Sequence, residues 1–140
     1  MKRTVIILLV MVFCCSYCSS YAQLYFTKNG RISFFSKTSL ENISADNNQV
    51  ISVLNVETGL VQFSLLNNAF YFPKAKMQED FNENYMESDK YPKSTFKGMV
   101  TDIGTINFSA DGNYKMHVKG DLTIHGVTKN ITTTGSLIIK

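Results

Sequence analysis

The sequence predicts an all-β fold, an antiparallel up-and-down meander able to close into a barrel, with one short helix between two strands. Three observations predict it. Apolar and polar residues alternate with period two along most of the chain after Gln23. Short links rich in Gly, Asn and Asp separate the alternating rows. One stretch, Pro73 to Met86, breaks the alternation and spaces its apolar residues by four.

The first 22 residues stand apart from the fold. Lys2 and Arg3 precede an apolar run from Val5 to Phe13, and Ser20-Tyr21-Ala22 offers small residues at a cleavage position before Gln23. This pattern is that of a secretory signal peptide over residues 1–22, which places the mature chain in the periplasm or outside the cell. A retained anchor is the alternative, but the apolar run is too short to span a bilayer comfortably. Cys14, Cys15 and Cys18 follow Phe13, Cys14 and Tyr17, not the small residue that lipoprotein processing needs. All three cysteines leave with the leader, so the mature chain has neither disulfide nor thiolate chemistry and relies on its core. Two of the 14 basic residues also leave, against 11 acidic ones, and the remainder is close to neutral. No like-charge run invites nucleic acid. Residues 23–140 suffice for one domain.

The rows follow in order. Ile32, Phe34 and Ser36 alternate with Ser33, Phe35 and Lys37; Val61, Phe63 and Leu65 with Gln62, Ser64 and Leu66. Phe96, Gly98 and Val100 alternate with Thr95, Lys97 and Met99. Tyr114, Met116 and Val118 form a row that Leu122 and Ile124 continue, and Ile131, Thr133, Gly135, Leu137 and Ile139 form the last. One apolar and one polar face suit an antiparallel sheet with a single dry side. Turns are expected at Lys28-Asn29-Gly30, at Ala45-Asp46-Asn47-Asn48 and at Thr58-Gly59. Asp111-Gly112 reads as a tight hairpin, and Val127-Thr128-Lys129-Asn130 closes the last one. In the exceptional stretch, Met77, Phe81 and Tyr85 share a helical stripe. Pro73 suits a helix start, Glu79 and Asp80 favour its dipole, and Tyr91-Pro92 ends it.

Two segments carry a resemblance. In MQEDFNENYMESDKYPKSTFKG (77–98), Phe81, Asn82, Tyr85, Ser88, Tyr91, Pro92, Phe96 and Gly98 fall on one pattern. In GDLTIHGVTK (120–129), a strand, a Gly126 turn and a return strand, Gly120, Leu122, Thr123, Ile124, Gly126, Val127 and Thr128 fall on another. Together they resemble the YceI-like family of secreted, lipocalin-like β-barrels that bind polyisoprenoid or other long-chain amphiphilic lipids. The resemblance covers about Leu24 to Lys140. It implies a barrel, usually of eight strands, whose interior holds an extended lipid. Two departures stand out. Asp80 occupies the place where many relatives have a histidine. The chain reads as about six strands and stops within one at Leu137-Ile138-Ile139-Lys140, which suggests that the last strands of the barrel are missing and one sheet edge is open.

On this reading the barrel interior is lined by Ile32, Phe34, Phe63, Phe96, Tyr114, Met116, Leu122 and Ile124, with Met77, Phe81 and Tyr85 at the helical end as packing or as a lid. A one-residue slip would reverse a whole strand. No catalytic set, cofactor or metal site emerges. His117 and His125 lie on the polar face about 26 Å apart along an extended strand and cannot share an ion. Glu79, Asp80, Glu83 and Glu87 read as a solvated helix face. The expected function is to hold a long-chain isoprenoid or fatty-acid-like lipid for storage, transport or stress protection, with any polar head near the mouth. The expected partners include no nucleic acid and no spanned membrane, and a homodimer stays open. Two alternatives stand beside it: a secreted β-domain with a filled core that meets a partner, and a lipid-modifying enzyme.

Overall fold

The computed structural model describes residues 23–39 and 41–140, so the leader expected at residues 1–22 lies outside the described residues. The chain forms strands β1 (Leu24–Lys37), β2 (Asn42–Asn55) and β3 (Leu60–Leu66), then helix α1 (Ala75–Asp80), then β4 (Lys93–Val100), β5 (Gly112–Ile124) and β6 (Val127–Ile139). All neighbours pair antiparallel in the order β1-β2-β3-β4-β5-β6, a pure meander. The fold is therefore an all-β, six-stranded curled sheet, a half-barrel of lipocalin-like type with one short helix. The inner rows read from the sequence are the ones that pair across the concave face. Phe63 stands opposite Phe96, and Phe96 opposite Leu122. Met116 stands opposite Gly135, and Tyr114 opposite Leu137.

Several expected turns are corrected. Lys28-Asn29-Gly30 is no turn but lies within β1, where the pairing slips between Thr27 and Gly30. Ala45 to Asn48 lies within β2, where the pairing slips between the Gly30 and Ile32 positions of β1. One strand gains an extra residue at the first bulge and the other at the second, so long strands stay in register while bending. The real β1–β2 turn is tied by Thr38, whose hydroxyl donates to the Glu41 carbonyl at 2.7 Å. Asp111-Gly112 is not a tight hairpin. A loop over residues 101–111 joins β4 to β5, and Gly112 opens β5. The last hairpin turns at His125-Gly126, both at positive φ (51° and 72°), so residues 127–130 already belong to β6. Two central residues at positive φ suit a two-residue turn. Thr58-Gly59 does join β2 to β3, and Gly59 sits at φ 77°.

Two apolar clusters fill the ends of the concave face. At the helical end Ala45, Val50, Leu65, Phe70 and Phe72 are buried, with Ile32, Phe34, Ile43, Met77 and Phe81 packed on them. At the other end Val61, Phe96, Val100, Ile106 and Val118 are buried, and Tyr114, Leu137 and Ile139 are among the residues packed on those. β1 and β6 are the two edges of the sheet.

Candidate functional site

The concave face holds a cavity of about 590 Å³ lined by members of both clusters. Ile32 and Phe34 reach it from β1, Phe63 and Leu65 from β3, and Phe96 from β4. Met116, Leu122 and Ile124 line it from β5, and Ile131 and Gly135 from β6. Its few polar lining residues are Ser94, Thr95, Thr133 and Thr134. Phe63 stays 37% exposed although its side chain is on the inner row, so a large apolar ring faces unfilled space.

Glycines make that space. Gly98 and Gly120 face each other across β4 and β5. The Phe96 ring lies over both: a Cβ added at either would come within 2.7–2.8 Å of its ring carbons and closer still to the facing backbone. Tyr114 likewise lies over Gly112 and points its hydroxyl at the Asn107 carbonyl, 3.3 Å away. Tyr114 therefore packs into the loop-end cluster and does not line the cavity. Met116 is in contact with Gly135. Large side chains that recline on glycine thicken the floor without crossing the interior.

At the helical end, Phe34, Phe70, Phe72 and Phe81 form a ring cage with centroid separations of 4.9–5.8 Å. The expected stripe of Met77, Phe81 and Tyr85 does not survive as a unit. Met77 packs on the cluster without reaching the cavity, Phe81 lines the cavity, and Tyr85 is 73% exposed. The reason is local. α1 runs into a π-helical turn, Phe81–Tyr85, in which the Met86 amide donates to the Phe81 carbonyl at 2.8 Å. The five-residue step puts Met86, not Tyr85, in the place that continues the Phe81 row, and Met86 lines the cavity. Sequence reasoning also missed Leu65 as lining and Phe70, which follows β3 in a segment without alternation. The run Ala69-Phe70-Tyr71-Phe72 before Pro73 was the available signal. Tyr71 pairs with Asp46 of β2 in an isolated bridge and is exposed, which turns the flanking Phe70 and Phe72 inward.

Polar residues, several of them within the two sequence patterns, build the frame. Fully buried Asn67 donates to the Tyr91 carbonyl at 2.6 Å and accepts from the Ser94 hydroxyl at 2.7 Å, while its amide donates to the Pro92 carbonyl. Ser88 donates to the Asn82 side chain at 2.7 Å, and Asn82 donates to the Gln78 carbonyl at 2.9 Å. Buried polar groups that satisfy each other cost little and fix one geometry. Glu87, at φ 43°, meets His125 Nε2 at 2.8 Å, and the His125 ring lies 4.5 Å from that of Tyr91. This ties the helical segment to the β5–β6 hairpin. His117 is paired separately: its backbone amide donates to one Asp102 oxygen and its Nδ1 meets the other, each at 2.9 Å. The bond from the backbone amide, then the ring contact, hold the Asp102 carboxyl below its ordinary pKa. Neither histidine joins a group of three or more metal-ligating side chains among the described residues. Lys76 spans Glu79 and Asp80 on the helix surface. Among the described residues no helix is long and apolar enough to cross a membrane.

The family model described as the YceI-like domain matches residues 19–139. No curated protein matches the chain. Among solved structures, a polyisoprenoid-binding domain from Saccharophagus degradans, implicated in plant cell wall breakdown, superposes with a TM-score of 0.69. The match has 14% identity and covers 83% of this chain and 67% of that one. At that identity the likeness is one of fold.

Proposed function

Because the chain belongs to the YceI-like family, we propose that it binds a long-chain amphiphilic lipid, a polyisoprenoid or a fatty-acid-like molecule, in the cavity of the half-barrel. The observation that carries this reading is the cavity itself, about 590 Å³ with aliphatic and aromatic walls. That volume lies in the range of small-molecule sites, and its scarcity of polar groups suits a hydrocarbon tail. Each buried methylene contributes about 0.8 kcal/mol, so a long tail binds tightly without a polar anchor. The solved domain of like fold is described as polyisoprenoid-binding, which supports the same ligand class here. Unfilled space beside Phe63 weighs against the alternative of a domain with a filled core.

In this reading the chain acts as a carrier: among the described residues the cavity's hydroxyls, Ser94, Thr95, Thr133 and Thr134, share its lining with no histidine or carboxylate. Secretion through the leader at residues 1–22 would place storage, transport or stress protection in the periplasm or outside the cell. Native mass spectrometry with lipid extraction tests the proposal. Wild-type protein should retain one long-chain lipid, and Phe63→Asp should fold and lose it. A folded wild-type protein that is empty and takes up no added long-chain lipid would sink the reading.

A further inference from the structure

We propose that Lys129 reads the head of the bound lipid and that this head is anionic, a phosphate or carboxylate. The inference rests on the lipid-binding reading above and adds which head group is chosen.

Register supplies the first argument. Lys129 stands directly opposite Leu122, and Ile124 opposite Val127. Leu122 and Ile124 line the cavity, as does Ile131, two residues beyond Lys129. Side chains of a directly opposed pair share a face of the sheet. The outer face is marked independently by two side-chain pairs. Thr123 meets Thr128 at 2.8 Å, and Asn130 donates to Asp121 at 2.8 Å. Lys129, between Thr128 and Asn130, is thus on the concave side.

The other charged strand residues supply the second argument. Lys93 and Lys97 stand opposite Leu66 and Gln62, in the row that alternates with the inward Val61, Phe63 and Leu65. Lys115, His117, Lys119 and Asp121 alternate with the inward Met116, Val118 and Leu122. Arg31 pairs with Asp46 on the outer face. Lys28 lies over the Phe26 ring, which alternates with Tyr25 and Thr27, and Lys37 alternates with the inward Ile32 and Phe34. Among the described strand residues, Lys129 is thus the charge turned toward the cavity, at the hairpin end of β6.

Its own state supplies the third. Lys129 is exposed, and it makes no ion pair or side-chain hydrogen bond among the described residues. A lysine can lay its stem along apolar neighbours such as Leu122 and Ile131 while its ammonium stays in water. An unpaired cation beside an apolar cavity fits a ligand whose tail lies within and whose anion remains at the rim.

The test uses two probes with one tail, geranylgeranyl phosphate and geranylgeraniol, with inorganic phosphate as a third arm. Wild-type protein should bind the phosphate more tightly than the alcohol. Lys129→Gln should weaken the phosphate roughly fivefold and leave the alcohol unchanged, and Lys129→Arg should restore the preference. Inorganic phosphate alone should neither bind at comparable affinity nor displace the lipid. Equal binding of both probes by the wild type, or an unchanged preference in Lys129→Gln, overturns the head-group assignment while lipid binding stands. So does competition by inorganic phosphate at the lipid's own concentration. A wild-type protein that binds neither probe removes the lipid reading and the assignment with it.

Discussion

The two ends of the cavity are closed in different ways. At the helical end, side chain meets side chain: the Phe34 and Phe81 rings contact each other, and each contacts the rings of Phe70 and Phe72. At the other end, side chain meets backbone: Phe96 lies on Gly98 and Gly120, and Tyr114 on Gly112. The first arrangement is bulky and forms a wall. The second is thin and leaves the interior open. One sheet therefore carries both a packed core and unfilled space, and the boundary between them is set by where glycine allows a ring to lie down.

The largest expected effect tests the thin end. Gly120→Val places a Cβ against the Gly98 Cα and the Lys97 carbonyl as well as the Phe96 ring. Backbone cannot give way as a flexible side chain can, so urea denaturation should show a loss of about 3 kcal/mol or more, or no folded protein. Wild-type stability in Gly120→Val would mean that the close approach is not needed.

The packed end should come next. Phe72 is 3% exposed within the ring cage, and Phe72→Ala should cost about 3–4 kcal/mol. Phe63→Ala, on the cavity wall, should cost about 1 kcal/mol at most, because its ring already faces open space. Equal losses at the two positions would erase the distinction between wall and core.

The smallest effect lies outside both ends. Asp102 has a folded-state pKa below its unfolded value, so its contribution to stability is present above the ordinary carboxylate range and is lost as pH falls through the depressed value. Asp102→Asn should therefore lower the urea midpoint slightly at neutral pH, with the gap to wild type closing as pH falls below about 4. The same acid-side slope in the variant would show that the His117 contact carries no linkage.

How much was legible in the sequence follows the same division. β5 and β6 keep strict alternation, and their inner rows stand where alternation puts them. β1 and β2 do not, because each bulge reverses the inward parity: Tyr25 and Thr27 pair with inward partners, then Gly30, Ile32 and Phe34 do. Asn47 and Asn67 look like turn residues, yet both are fully buried and hold carbonyls of neighbouring segments. Tyr85 was misplaced by a hydrogen bond, since nothing in a four-residue spacing announces a π-helical turn. Tyr114 was on the expected face, but its lean onto Gly112 depends on the loop that brings Asn107 within reach. Patterns that repeat are readable one residue at a time. Bulges, caged asparagines and reclining rings depend on partners far along the chain.

The most direct test of the account is lipid occupancy in a protein whose cavity has been filled. Thr133 lines the cavity opposite Val118, and Thr133→Trp would occupy the space beside it. By native mass spectrometry, wild-type protein should carry a long-chain lipid, while Thr133→Trp, with an unchanged β-sheet spectrum, should be empty. Equal lipid occupancy in the filled variant would contradict the claim that this cavity is the binding site.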